Sequence, residues 1–289
     1  MVSFPRILFP VDLSKQSLCA APFVKAMAAR FHSEVTLLHV VEVPPAWSGA
    51  TGEIAFSSWV DTPRLVEARG AELIGFQQRE LTDLAVQPCV QTGDPAVIIQ
   101  RVARQKQISL IMMPTHGYGP VRSLLLGSVT AKVLHDAECP VWTVLPGHVT
   151  EDPHTPCRNL ICAIDTSSKA LPLLRWAAEF AASQDAHLKL IHVVTGFDVE
   201  QCACEEDPLR DFVFDVARER IEKLQAQAGT HLEATVAAGR TGDVVREVAV
   251  ADKADLVLIG RGVIQKPLGR LRSNAYAIVR DAPCPVISV

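Results

Sequence analysis

Short runs of β-branched and aliphatic residues alternate with longer stretches of helical period along the whole chain. In the first half, apolar runs predict strands at about 6–11, 34–41, 85–91, 108–114 and 140–145. Between them, residues 14–30, 62–83, 95–106 and 127–137 carry helical patterns. The second half predicts strands near 159–164, 187–194, 231–237, 254–260 and 285–289, again with helices between. Runs such as Leu110-Ile111-Met112-Met113 and Leu256-Val257-Leu258-Ile259 are apolar on both faces of the pleat. Strands of that kind are buried on both sides, and alternation with helices makes a parallel sheet covered by helices. The expected fold class is therefore doubly wound α/β. Ser14 and Ser167, each following a first strand, are placed as helix N-caps.

The two halves are copies. ILFPVDLS (7–14) aligns with LICAIDTS (160–167), which sets Asp12 over Asp165. EVTLLHVV (34–41) aligns with HLKLIHVV (187–194), and DAECPVWTV (136–144) with DAPCPVISV (281–289). A repeat of this length divides the chain into domains at 1–148 and 156–289, joined through the proline-rich PGHVTEDPHTPC (146–157).

Composition narrows the function classes. The 289 residues are 48% hydrophobic and 21% charged with a net charge of −4. That balance supplies packed cores and argues against a dedicated nucleic-acid binder, which carries a basic face. No apolar run approaches the roughly 18–20 residues of a membrane span. Pro5 and Asp12 interrupt the N-terminal stretch where a signal peptide needs an apolar core. A cytoplasmic protein without membrane or nucleic-acid partners is expected. The eight cysteines sit mostly in apolar contexts and are read as small hydrophobes, not a disulfide framework.

Ligands of such sheets bind beyond the carboxyl ends of the strands, where strand order reverses. Asp12 at the end of the first strand can accept from paired hydroxyls such as those of a ribose, or can cap the helix that follows. After the fourth strand comes MMPTHGYGPVRSLLLGS (112–128). Gly117, Gly127 and Ser128 there can offer amides and a hydroxyl to phosphate oxygens at a helix N-terminus, or can be ordinary loop and cap residues. His116 can donate to the same phosphates or stabilise the turn. His39 and His192 fall inside matching strands and are read as satisfied core histidines. Cys202 and Cys204 could offer thiolates to a soft metal but lack further nearby ligands. No GxSxG, P-loop or HExxH motif is present, so a non-enzymatic protein is expected.

Val11-Asp12 with Ser14, the His39-Val40-Val41 ending, M-x-T-H-G-x9-G-S and the Cys-Pro-Val final strands together resemble the universal stress protein family, as a tandem pair over the whole chain. The resemblance implies two five-stranded parallel domains of order 3-2-1-4-5 and a role in stress response or regulation. Some members bind ATP or AMP through G-x2-G-x9-G-[ST]. Carried over, Asp12 would meet the ribose, Val41 the adenine edge and Met113 the adenine pocket. Gly117, Gly127 and Ser128 would hold phosphates. Pro114 departs from the pattern, replacing the first motif glycine and removing an N–H. In the second copy Arg272 stands at the third glycine position, and Arg261, Lys266, Arg270 and Arg272 make the loop basic. That loop is read as a solvated or partner-facing surface, with contact to an anion as the alternative, and the second copy as degenerate. Family members pair through their last strands, which implies an intramolecular pseudo-dimer along 140–145 and 285–289, with homo-oligomers possible beyond it. A nucleotide-independent dimeric scaffold is the rival reading, and a slow ATP hydrolase a third.

Overall fold

The computed structural model describes residues 2–42, 61–116, 126–145, 157–167, 169–196, 208–261 and 273–289. The first half runs β1 (Arg6–Pro10), α1 (Lys15–Phe31), β2 (Glu34–Val41), α2 (Thr62–Glu80), β3 (Val86–Thr92), α3 (Pro95–Gln105), β4 (Leu110–Pro114), α4 (Ser128–Asp136) and β5 (Val141–Val144). The second runs β6 (Asn159–Ala163), α5 (Ala170–Gln184), β7 (His187–Val194), α6 (Pro208–Ala228), β8 (Ala234–Ala238), α7 (Thr241–Ala251), β9 (Leu256–Ile259), α8 (Ser273–Asp281) and β10 (Val286–Ser288).

All ten strands join one sheet in the order β3-β2-β1-β4-β5-β10-β9-β6-β7-β8. Each half keeps the expected order 3-2-1-4-5 with parallel pairing. The halves meet at β5 and β10, which pair antiparallel with Trp142 opposite Ile287. Thr143 and Ser288 add hydroxyl bonds to Val286 O and Val141 O across this seam. The pairing of last strands that the family resemblance implies is thus made within one chain, and it fuses two sheets into one.

Strand alternation sorts the core into two layers. Ile7, Phe9, Leu37, Leu110, Met112 and Trp142 face α1 and α2, and the same layer continues through Leu160, Cys162 and Ile287 to α5. Leu8, Leu38, Ile111, Met113 and Val141 face α3 and α4, and that layer continues through Val257, Ile259 and Val286 to α7 and α8. Both layers cross the seam, so neither half buries its core alone.

Two local expectations are corrected. Ser14 is the α1 N-cap residue but makes no capping bond, because its hydroxyl turns back to Asp12. Ser167 is not a cap residue: α5 begins after Lys169, and the Ser167 hydroxyl likewise donates to Asp165. The third strand of the second half starts at Ala234 rather than 231. Both backbone groups of Leu232 are taken by the Gln225 side chain and are lost to the ladder. The six described cysteines are free thiols. Among the described residues no helix is long and apolar enough to cross a membrane.

Candidate functional site at the strand ends of the first half

The topological switch point of the first half lies between β1 and β4, whose chain continuations head opposite ways along the sheet. These two strands pair over only Ile7↔Leu110 and Leu8↔Ile111. Their counterparts β6 and β9 pair over four positions, out to Ala163↔Ile259. Prolines account for the difference. Val11 N–H donates to Leu38 O on β2, while Ile111 and Thr115 donate to β5 at Pro140 O and Val144 O. By strand alternation Pro10 on β1 and Pro114 on β4 therefore face each other. Neither has an N–H, so the ladder between β1 and β4 ends before them. The proline that breaks the glycine motif removes an amide aimed at β1. Ala163 and Gly260 stand at these places in the second half, where the ladder runs on.

Asp12 follows the end of β1 beside this switch point. Its Oδ1 accepts from Ser14 N at 3.0 Å, Ser14 Oγ at 2.5 Å and Ser17 Oγ at 2.8 Å. Ser14 and Ser17 are buried, whereas Asp12 is exposed. Among the described residues Oδ2 accepts no hydrogen bond, so one carboxylate oxygen is anchored and the other is presented outward. The next residue, Leu13, sits at φ 62, a left-handed conformation that costs a branched side chain free energy and concentrates at functional sites. Its counterpart Thr166 is not in that region. The sequence pattern did not single out Ser17; its signal was a serine at a position whose helical neighbours are apolar.

The other expected positions divide. Val41 is buried, and its carbonyl accepts from Gly93 N at 3.0 Å, so it can offer contact surface but not that acceptor. Met113 is buried in the layer under α4 with Leu126 and forms floor rather than wall. Gly127 is needed for room. A Cβ there would come within 3.1 Å of Thr115 O, and its own N–H is taken by that oxygen at 2.9 Å. The expectation that the Gly127 amide serves a phosphate is therefore corrected. Ser128, the exposed first residue of α4, keeps its hydroxyl at the positive end of the helix. Thr130, missed in the motif, ties this end to β4 through Oγ1 to Pro114 O at 3.1 Å.

His116 shares a hydrogen bond between Nδ1 and Thr115 Oγ1 at 3.0 Å. Its Nε2 is shielded with no partner among the described residues. Burial holds its pKa below the ordinary histidine value, which favours the neutral ring. Gly117 lies outside the described residues, as do Lys266, Arg270, Arg272, Cys202 and Cys204. His39 and His192 donate Nδ1–H to Val11 O and Ile164 O, each at 2.9 Å; both are satisfied as expected, His39 buried and His192 half-buried. A recess of about 460 Å³ between α1 and α2, lined by Leu18, Phe76 and Arg79 among others, is apolar and lies apart from the donors gathered at α4.

The second half repeats the Asp turn but carries its β6–β9 ladder further. Asp165 Oδ1 accepts from Ser167 N and Oγ, while Ala170 replaces Ser17. Leu173 replaces Ala20, and its Cδ2 lies 3.3 Å from where a Cβ on Gly260 would be. Arg261 corrects the reading of a solvated or anion-contacting basic residue at that position. Its guanidinium donates to Ala137 O and, at 2.8 Å, to Cys139 O of the first half.

The fold defines a tandem doubly wound α/β protein with one topological switch point in each half. A profile of the universal stress protein family matches residues 3–144 and again 156–289, and the chain belongs to that family. A universal stress protein of Methanocaldococcus jannaschii is 32% identical over 143 residues, 49% of this chain and 82% of that protein. One of Thermus aquaticus is 32% identical over 142 residues, 49% of this chain and 98% of that protein. The crystal structure of a universal stress protein from Archaeoglobus fulgidus superposes with a TM-score of 0.67 at 19% identity, covering 98% of this chain and 95% of that one. It shares the fold over both halves.

Proposed function

We propose that the chain is a non-enzymatic, cytoplasmic stress-response protein whose first domain, 1–148, binds an adenine nucleotide, ATP or AMP, and whose second, 156–289, does not. The observation that carries this reading is the half-anchored carboxylate of Asp12 at a switch point where Pro10 and Pro114 end the ladder. Oδ1 fixes the orientation, and Oδ2 is left to accept from ribose hydroxyls, a charged hydrogen bond of about 1.5–3 kcal/mol. Ser128 and the first amides of α4 would take phosphate oxygens, with Gly117 and neutral His116 at the same turn. Val41 and Met113 would supply the apolar floor for the base.

Calorimetric titration of the full chain with ATP and with AMP tests the reading. One equivalent bound by wild type, lost on Asp12→Ala, is expected; no binding by wild type overturns it. Phosphate release that scales with protein and disappears in Asp12→Ala would instead make it a hydrolase.

The rival reading, a dimeric scaffold that needs no nucleotide, is favoured by Leu173 and Arg261, which turn the second half's strand ends toward packing. A sample that carries no nucleotide and gains no thermal stability in millimolar ATP supports it. A ligand at 100-fold excess over Kd would add about 2.7 kcal/mol.

A further inference from the structure

The second half reaches across the seam to α4 of the first half at both of its ends. At the start, Leu126 N–H donates to the hydroxyl of Tyr276 on α8 at 3.0 Å. At the finish, the Arg261 guanidinium donates to Ala137 O and Cys139 O, where a cation also complements the helix dipole. Sequence separations of 150 and 124 residues make these tertiary contacts. The arrangement is one-sided. Ala131 holds the Tyr276 position in the first half and has no hydroxyl, and Thr115 holds the Arg261 position by sheet register and has no cation.

We propose that the second half works as the positioning element for the phosphate end of the first half's site, with Tyr276 and Arg261 as its positioning residues. This rests on the nucleotide reading above. The N-terminus of α4 is held by three bonds: Gly127 N–H to Thr115 O, Thr130 Oγ1 to Pro114 O, and Leu126 N–H to Tyr276. The first two tie α4 to its own strand. The third is the only one of these set from across the seam, and it acts on the residue immediately before Gly127-Ser128. Arg261 fixes the far end, so the helix cannot slide or tilt without breaking a contact to the second half. The donors for a phosphate are thereby preorganised by residues that touch no ligand. Among the described residues no hydrogen bond joins Asp12, Val41 or Met113 to the second half, so the effect is expected at the phosphates.

The test is Tyr276→Phe in the full chain, which keeps the ring and removes only the acceptor. Amide exchange in ligand-free protein is read at Leu126, and calorimetry compares ATP with adenosine. Faster exchange at Leu126 is expected, with ATP weakened about two- to tenfold and adenosine unchanged. Arg261→Lys, which keeps the charge and loses the paired donors, should shift ATP in the same direction.

Unchanged exchange at Leu126 overturns the proposal. So does an equal loss for ATP and adenosine, or a tighter ATP complex in which the released Leu126 amide takes a phosphate oxygen. Failure of wild type to bind ATP overturns the nucleotide reading and the phosphate role together. Binding by wild type with no change in Tyr276→Phe overturns only the positioning role.

Discussion

The strand ends of the two halves start from the same backbone and finish with different chemistry. Each has an Asp whose Oδ1 is held by a following serine, and each has a strand histidine bonded to the carbonyl before that Asp at 2.9 Å. The differences fall on five side chains. Pro10, Ser17, Ala20, Pro114 and Thr115 become Ala163, Ala170, Leu173, Gly260 and Arg261. The Ser17 hydroxyl bond to the Asp has no counterpart at Ala170, the ladder between first and fourth strands runs on, a leucine methyl lies against the glycine, and an arginine turns to the neighbouring half. A duplicated frame survives because core packing and sheet pairing demand it. The crevice is set by a few side chains that the frame does not constrain.

Four experiments bear on this contrast, the largest expected effect first. Leu173→Ala should destabilise the chain by about 2–5 kcal/mol in urea unfolding, as a buried leucine over Gly260 is lost. It should still create no second nucleotide equivalent, because Arg261 stays bonded across the seam. A new equivalent would mean that Leu173 alone closes the second crevice.

Asp12→Ala should weaken nucleotide binding roughly ten- to a hundredfold, the span of about 1.5–3 kcal/mol for a charged hydrogen bond. Asp165→Ala should leave calorimetric affinity at the wild-type value. Equal losses in the two variants would erase the functional asymmetry. Ser17→Ala converts the first turn to the pattern of the second and removes one hydroxyl from Asp12 Oδ1. A loss of about 0.5–1.5 kcal/mol in nucleotide affinity is expected, and no loss would show that Ser14 suffices to orient the carboxylate.

The smallest effect is a pH slope. The His116 pKa is lowered by burial from its ordinary 6.5. The folded state therefore favours the neutral ring, and the associated stability is present above about pH 6.5 and is lost as pH falls through the folded pKa. Denaturation midpoints of His116→Gln, compared with wild type on either side of that pH, should show a flatter acid limb.

Much of the fold was legible because its signals are local. Continuous apolar strands with amphipathic helices between them define a covered parallel sheet, and strand boundaries came within a few residues except at β8. There a side-chain amide of Gln225 competed for the backbone of Leu232, which no periodicity reveals. Asp12 after β1 and Ser128 at the start of α4 lie where motif spacing put them, because such spacing marks strand ends and helix starts. Gly127 was found for the wrong reason. Its glycine looked like a donor, and only the approach of Thr115 O showed that it provides space. Pro114 looked like damage to a phosphate loop, but strand alternation turns its nitrogen toward β1.

By itself the sequence determined the duplication, the α/β class, the order of elements and the family, all of which rest on patterns within tens of residues or on matching copies. The family resemblance already implied the pairing of β5 with β10; only the tertiary structure decided that Arg261 points inward and that Tyr276 meets Leu126. Those outcomes depend on groups more than a hundred residues apart whose partners are set by the packing of the whole sheet. Hydrogen-bond geometry at a seam has no signature in the hydrophobic pattern of either strand that forms it.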